Sequence, residues 1–594
     1  MSGRCSRSLA TLFVFQLVLL TATAAQAPAS LAVRRAQLRD AIEQDWQYDL
    51  KTSPEFATAI GDARFNDQLA DRSAEAAERD AQHARESIRT IEAIDTAGFP
   101  EQESLNKTLI LRQLHDGLDN AQFRPWEMPV NQMNGDHLDL AALPSQMPFK
   151  TVKDYQNYLA RLHAIPHALD QDTINMRQGL KDRLMPPRYL LEKVTSEAQD
   201  IATKPLAESP FTAPLHQFPS TISPPDKQRL TTAIESAVKD EVQPAFSKFA
   251  AFVRDEYAPH GRTEYGIWSL PNGEAQYRVA VRQMTTTDRT PADIHAMGVK
   301  QVAEIDAQML ALAQSLGFHD LKSFNEHIRK DPEHYGKSSQ QIFDLYQHYA
   351  DQMKAKLPLL FGHLPKTPLE VVPMEAYRAP HAVPADYSPG AADGGRPGRI
   401  NVNEFDPTHR LLLNVEAIAY HEGIPGHHMQ FSIAQELPDT PAFRRFSEYN
   451  AYSEGWAFYS ERLGKEVGFY QDPYSEYGRL ENEMWRSVRL VVDTGVHEQH
   501  WSRQQMIDFF HEHTAMDDQN IETEVDRYIA WPGQALAYKL GQMKILELRE
   551  RAKQALGAHF DIRAFHDAVL DEGPLPLDLL DARINTWIAE QKQK

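Results

Sequence analysis

His421-Glu422-Gly423-Ile424-Pro425-Gly426-His427 follows a run in which Leu411, Val415, Ile418 and Ala419 recur at i, i+4, i+7 and i+8. That spacing is one apolar face of a buried helix, and Asp406-Pro407 supplies a capped start for it. Two imidazoles, a carboxylate beside one of them and a third ligand from elsewhere are what a hydrolytic zinc site needs. In the familiar H-E-x-x-H arrangement the histidines stand i, i+4, about 40° and about 6 Å apart. Here His421 and His427 stand i, i+6, about 120° apart and about 9 Å along an ideal helix, so an unbroken helix cannot serve both to one ion. Pro425 has no N–H for the His421 carbonyl and Gly426 admits conformations closed to other residues, so the helix is expected to break there. His428, at i+7, is a rival ligand, and two ordinary histidines before a helix-ending Pro-Gly would satisfy the same spacing.

A third ligand is expected from a helix over 441–464, in Tyr452-Ser453-Glu454-Gly455-Trp456-Ala457. Glu454 stands among aromatic and small residues, where an unpaired carboxylate is costly to bury and a cation offsets the cost. Glu461, on the same face two turns on, and Glu448, turned away, read as solvated charges.

The rest of the 594-residue chain bounds the setting. Sixty-two basic against 83 acidic residues give a formal charge of -21, which opposes binding to nucleic acid or anionic membranes. Arg4 and Arg7, an apolar stretch from Leu9 to Leu20 and small residues to Ala27 have the order of a secretory signal peptide, expected over 1–25. The expectation is a periplasmic or secreted protein without stable membrane insertion after cleavage. Cys5, the only cysteine, precedes the apolar stretch, so a mature chain has no disulfide or cysteine ligand, and a metal falls to His, Asp or Glu.

Most of the chain has helical periodicity, including 31–46, 104–118 and the helix opened by Thr290-Pro291-Ala292-Asp293, expected to reach about Leu316. The proline-rich stretches 125–149 and 205–225 read as long loops. Within 357–407, 369–372 and 399–403 have strand character. The fold class expected is mainly α, with a small β element next to the active-site helix. The chain divides into an N-terminal helical region, 26–260, and a catalytic metal-binding region, 261–594, packed as one unit.

His-Glu-Gly-Ile-Pro-Gly-His-His-Met-Gln (421–430) and Ala-Tyr-Ser-Glu-Gly-Trp-Ala-Phe-Tyr (451–459) resemble the bacterial "domain of unknown function 885" family. So do Leu270-Pro271-Asn272-Gly273, Thr285-Thr286-Thr287-Asp288, Asp493-Thr494-Gly495-Val496-His497, Glu524-Val525-Asp526-Arg527-Tyr528 and the stretch from Pro532 to Lys539. The resemblance covers most of the mature chain. It implies a large helical, metallopeptidase-like fold related to zinc peptidases of the H-E-x-x-H type, and it aligns His427, not His428, with the family's Pro-Gly-His histidine.

On this reading one Zn2+ is held by His421, His427 and Glu454, with Glu422 as general base, and the substrate is a peptide or another small amide. Arg486, Arg489, Asp493 and His497 fall within about an 80° stripe of one helix, which suits oxyanion or substrate contacts, with Asp493 orienting His497. A solvated polar face accounts for the same stripe. Tyr528 and Tyr538 are the phenol candidates, because related peptidases use a Tyr at the oxyanion, and Arg527 and Lys539 are candidates for a substrate carboxylate. The strand at 399–403 is a candidate edge for pairing with an extended peptide. Competing readings are a metal-dependent hydrolase of a non-peptide amide or ester, and an exported binding protein with a vestigial site.

Overall fold

The computed structural model describes residues 29–374, 379, 382–390, 396–437 and 440–593, so the expected signal peptide lies outside the described residues. Helices α1 (Leu31–Thr52) and α2 (Glu101–Ala121) extend the two N-terminal periodic stretches by several residues. The stretch expected as a loop over 125–149 instead contains helix α3 (Asp136–Gln146). Asp136 and Asp139 favour its N-terminal end, and Leu140 and Leu143 bury one side, which together outweigh Pro144. Helix α4 (Pro291–Ser315) starts as its sequence dictates, with the Thr290 hydroxyl accepting from Asp293 N–H at 3.1 Å.

Strands β1 (Leu369–Pro373), β2 (Ala385–Ser388) and β3 (Gly398–Val402) form one sheet in the order β1-β3-β2, with β1 parallel and β2 antiparallel to β3. The stretch expected as a peptide-pairing edge is therefore the central strand. Its backbone is already committed on both sides, and it offers no edge to a substrate.

Asp406-Pro407 does not open the helix that carries His421. It opens a single 3-10 turn, and Asp406 lies in the left-handed region at φ 48°. Leu412 N–H bonds the His334 carbonyl at 2.8 Å and Gly336 N–H bonds the Arg410 carbonyl at 3.0 Å. This pairing draws 410–412 out of any helix, and α5 begins only at Val415 (Val415–Glu422). Helix α6 (His427–Glu436) follows. The helix expected over 441–464 is one turn at Ala442–Arg445 and then α7 (Asn450–Glu466). Arg444 pins that turn to α2 through Gln102 and Asn106, both at 2.9 Å. Helices α8 (Pro473–His497), α9 (Asp518–Ala530) and α10 (Ala537–Leu556) complete the site's frame.

Glycines set how closely these helices pack. A Cβ on Gly455 of α7 would lie 2.4 Å from Gly541 Cα of α10, and one on Gly541 would lie 1.8 Å from the Ala451 carbonyl oxygen. The contact fixes Glu454, beside Gly455, relative to Tyr538 on the facing helix.

The core is divided. Residues of 130–258 form their own apolar cluster, whereas Leu38, Trp46 and Leu109 share a cluster with Trp456, Ile545 and Ile584. The N-terminal region thus contributes both a separate body and part of the wall behind the site. Among the described residues no helix is long and apolar enough to cross a membrane.

Candidate metal centre

The break at Pro425-Gly426 brings the two histidines together. Helix α5 stops at Glu422, the Ile424–Pro425 peptide is cis, and α6 starts at His427. Gly426 N–H returns to the Tyr420 carbonyl at 2.9 Å, and a Cβ there would stand 1.9 Å from the His421 carbonyl oxygen, so only glycine fits. From α7, Trp456 Nε1–H donates to the Pro425 carbonyl at 2.9 Å and locks the bend.

The result is a three-donor cluster. His421 Nε2 lies 3.5 Å and His427 Nε2 3.4 Å from Glu454 Oε2, and the three ligand atoms all lie within 4.8 Å of one another. Neither contact has hydrogen-bond geometry, and Glu454 Oε2 is buried without a hydrogen-bond partner. Donors placed about 2.0–2.1 Å from a tetrahedral zinc stand about 3.3 Å from each other. The two imidazole–carboxylate separations are close to that spacing, and nitrogen and oxygen donors are of the kind such an ion takes. Burial raises the Glu454 carboxyl, but the two imidazoles outweigh it and hold the group well below its ordinary range.

His421 is held from both sides. Its Nδ1 lies 2.9 Å from Glu461 Oε1, while Asn482 Nδ2 donates to Glu461 Oε2 at 3.1 Å. Glu461 is 1% exposed, so reading it as a solvated charge is corrected: it orients the imidazole, as carboxylates do behind metal-bound histidines. The clue in the sequence was its spacing of seven from Glu454, which places the two carboxylates on one face of α7 on either side of the His421 ring. Glu448 is exposed. His427 Nδ1 has no partner among the described residues. His428 is occupied elsewhere, with Nδ1 3.0 Å from Tyr387 Oη and Nε2 3.1 Å from the Thr367 carbonyl, which removes it as a rival ligand. Glu422, next to His421, is half-buried, and desolvation raises its carboxyl pKa even against the charges of His421 and His427.

The other candidates separate into two groups. Tyr538, Arg486, Arg489 and Arg527 gather beside His421. The Tyr538 ring stacks on the His421 ring at 6.3 Å between centroids and 19°, Arg489 lies 4.4 Å from its centroid, and Arg527 Nη2 donates to its hydroxyl at 3.1 Å. Tyr528 stands one layer further in: its hydroxyl donates to Glu524 Oε2 at 2.5 Å and accepts from Arg489 Nε at 2.8 Å.

His497 and Lys539 are spoken for. His497 Nδ1 accepts from Ile267 N–H at 3.1 Å, and Nε2–H donates to the Tyr528 carbonyl at 2.9 Å. Burial pushes its pKa down to about 3, which leaves a neutral ring with no free nitrogen. Asp493 does not orient it, because its carboxylate accepts instead from Tyr277 Oη and Gly533 N–H. Lys539 is 3% exposed, and its Nζ donates to Glu483 at 2.6 Å and Gln542 at 3.0 Å. A second group, His327, Asp331 and His334, also has ligand atoms within 4.8 Å of one another, but it is half-exposed.

A family model described as "Bacterial protein of unknown function (DUF885)" matches residues 54–584. A crystal structure described as "the putative lipoprotein from Colwellia psychrerythraea" is 27% identical with a TM-score of 0.89, covering 94% of this chain and 99% of that one. A "putative lipoprotein of unknown function from Shewanella oneidensis" is 18% identical with a TM-score of 0.67, covering 93% and 99%, and shares the fold. No curated protein matches the chain.

Proposed function

The chain belongs to the DUF885 family, and on that premise we propose that it is an exported zinc-dependent hydrolase, with peptides as its substrates. The observation that carries the reading is the approach of His421 Nε2 and His427 Nε2 to one Glu454 oxygen at 3.5 and 3.4 Å, with the unligated Glu422 adjoining. A purely structural metal site has no use for that last carboxylate. The relation to zinc peptidases of the H-E-x-x-H type belongs to this proposal. Export is supported by the signal-like N-terminus and by the lipoprotein description of the relatives.

When bound, a zinc ion supplies a Lewis-acidic position that activates water near neutral pH. Glu422, its pKa raised by burial, accepts a proton and later returns it to the leaving amine. Glu461 keeps His421 Nδ1 engaged, so that Nε2 presents its lone pair to the site. Of the two phenols, Tyr538 is the donor to a developing oxyanion. Arg527 donates to its oxygen and leaves its O–H free, whereas the Tyr528 proton is committed to Glu524.

The test is hydrolysis of a defined peptide mixture followed by mass spectrometry, with and without chelator. Chelator-sensitive cleavage that Glu422→Gln abolishes while retaining the metal is expected. Cleavage that persists in that variant contradicts the assignment of the base.

A further inference from the structure

We infer that Arg486, Arg489 and Arg527 form a carboxylate-binding pocket beside the metal ligands, selecting substrates that present a free carboxylate close to the bond cut. This deepens the hydrolase reading and rests on it for the word substrate. The pocket itself follows from unpaired donors.

Arg486 is 5% exposed, yet its guanidinium makes no hydrogen bond with any described residue, and Nε and Nη1 are wholly occluded. It lies among rings, 4.3 Å from the Trp485 centroid, 5.5 Å from Phe458 and 5.9 Å from Tyr538. Cation–π contact does not replace five missing acceptors. The nearest carboxylate oxygen, Glu461 Oε1 at 3.8 Å, is too far for a hydrogen bond and already faces His421 Nδ1 at 2.9 Å. A guanidinium placed to neutralise Glu461 would close that gap, because leaving a buried cation unpaired is costly.

The neighbours repeat the pattern. Arg489 satisfies Tyr528 and Glu524 but leaves Nη1 unpaired, and Arg527 serves Gln534 and Tyr538 but leaves Nε unpaired. Three guanidiniums thus surround one phenol ring, faced among the described residues by two carboxylates, Glu524 and Glu461. A planar anion with two acceptor oxygens matches unfilled forks of this kind. Arg527 keeps 14% of its side chain exposed, which leaves the cluster open on that side. Tyr538 touches both the cluster and the His421 ring, so a carboxylate bound there stands within about three extended residues of the proposed metal ligands. That separation suits the C-terminal carboxylate of a short peptide, with an acidic side chain as the other source of the same chemistry.

The test is calorimetric binding to the zinc-loaded Glu422→Gln protein, in which turnover is blocked. The ligands are acetyl-trialanine, its C-terminal amide, and the amide with aspartate as last residue. The free acid is expected to bind about tenfold or more tightly than the trialanine amide. Arg486→Gln is expected to erase the difference while leaving the amide unchanged. If the aspartyl amide matches the acid, the pocket stands and accepts a carboxylate from either source; if it matches the trialanine amide, the source is the C-terminus. Equal binding of all three ligands, no binding by any, or an acid preference untouched by Arg486→Gln overturns the pocket. Arg527→Gln, on the open side, carries the same test should Arg486→Gln fail to fold. Because the readout is binding, an acid preference without turnover in the wild-type protein retains the pocket and removes the hydrolase reading instead.

Discussion

His421 joins two carboxylates of one helix: Glu461 Oε1 stands 2.9 Å from its Nδ1 and Glu454 Oε2 3.5 Å from its Nε2. The two glutamates are seven residues apart on α7, so one helix face supplies both the proposed ligand and the carboxylate that orients the His421 ring. Replacing Glu461 by Gln keeps the shape and weakens the orienting bond. Zinc affinity is expected to fall about 10–100-fold. Competition with a chromogenic chelator measures it, and an unchanged affinity would remove the orienting role.

The crossing of α7 and α10 depends on two glycines. Gly455→Ala places a Cβ against the opposite backbone at 2.4 Å, where no flexible side chain can yield. A loss of about 1–3 kcal/mol is expected from such overpacking, and Gly541→Ala, facing a carbonyl oxygen at 1.8 Å, is expected to lose more. Urea unfolding at constant zinc reads both.

Two buried carboxyls make the fold acid-sensitive. Burial raises Glu483, but Lys539, Arg462 and Arg479 outweigh it and bring its pKa down to about 2; Arg489 and Arg527 do the same for Glu524. A folded pKa below the unfolded value of about 4.3 means stability present above that pH and lost as pH falls toward 2. Glu483→Gln is expected to unfold at lower temperature than wild type at pH 7. The gap should close between about pH 4.5 and pH 2 in thermal melts.

His497 is expected to matter for stability and not for the metal. His497→Gln cannot reproduce both the bond from Ile267 N–H and the bond to the Tyr528 carbonyl. A loss of about 1–3 kcal/mol is expected with zinc stoichiometry unchanged. A drop in zinc content in folded protein would return His497 to the site.

Much of this was legible from local spacing. The Thr290 cap, strands β1 and β3, the break after Glu422 and the nomination of Glu454 all follow from rules that act within a few residues. Tertiary contacts decided the remainder. Pairing of 410–412 with 334–336 cancels the helix start at Asp406. Strand β2, four residues long, forms only because β3 is there to receive it. The stripe from Arg486 to His497 is continuous in sequence but meets different neighbours at each end. Arg486 and Arg489 face Tyr538, whereas Asp493 and His497 face Tyr277, Ile267 and Gly533. No rule confined to one helix separates them.

The central claim is that His421, His427 and Glu454 hold one zinc ion, and metal content tests it most directly. Wild-type protein and Glu454→Ala, each exposed to zinc and passed through a desalting column, are to be compared by elemental analysis. About one zinc per wild-type chain and far less in the variant is the predicted result. A wild-type chain that retains no zinc, or a variant that retains as much as wild type, contradicts the account.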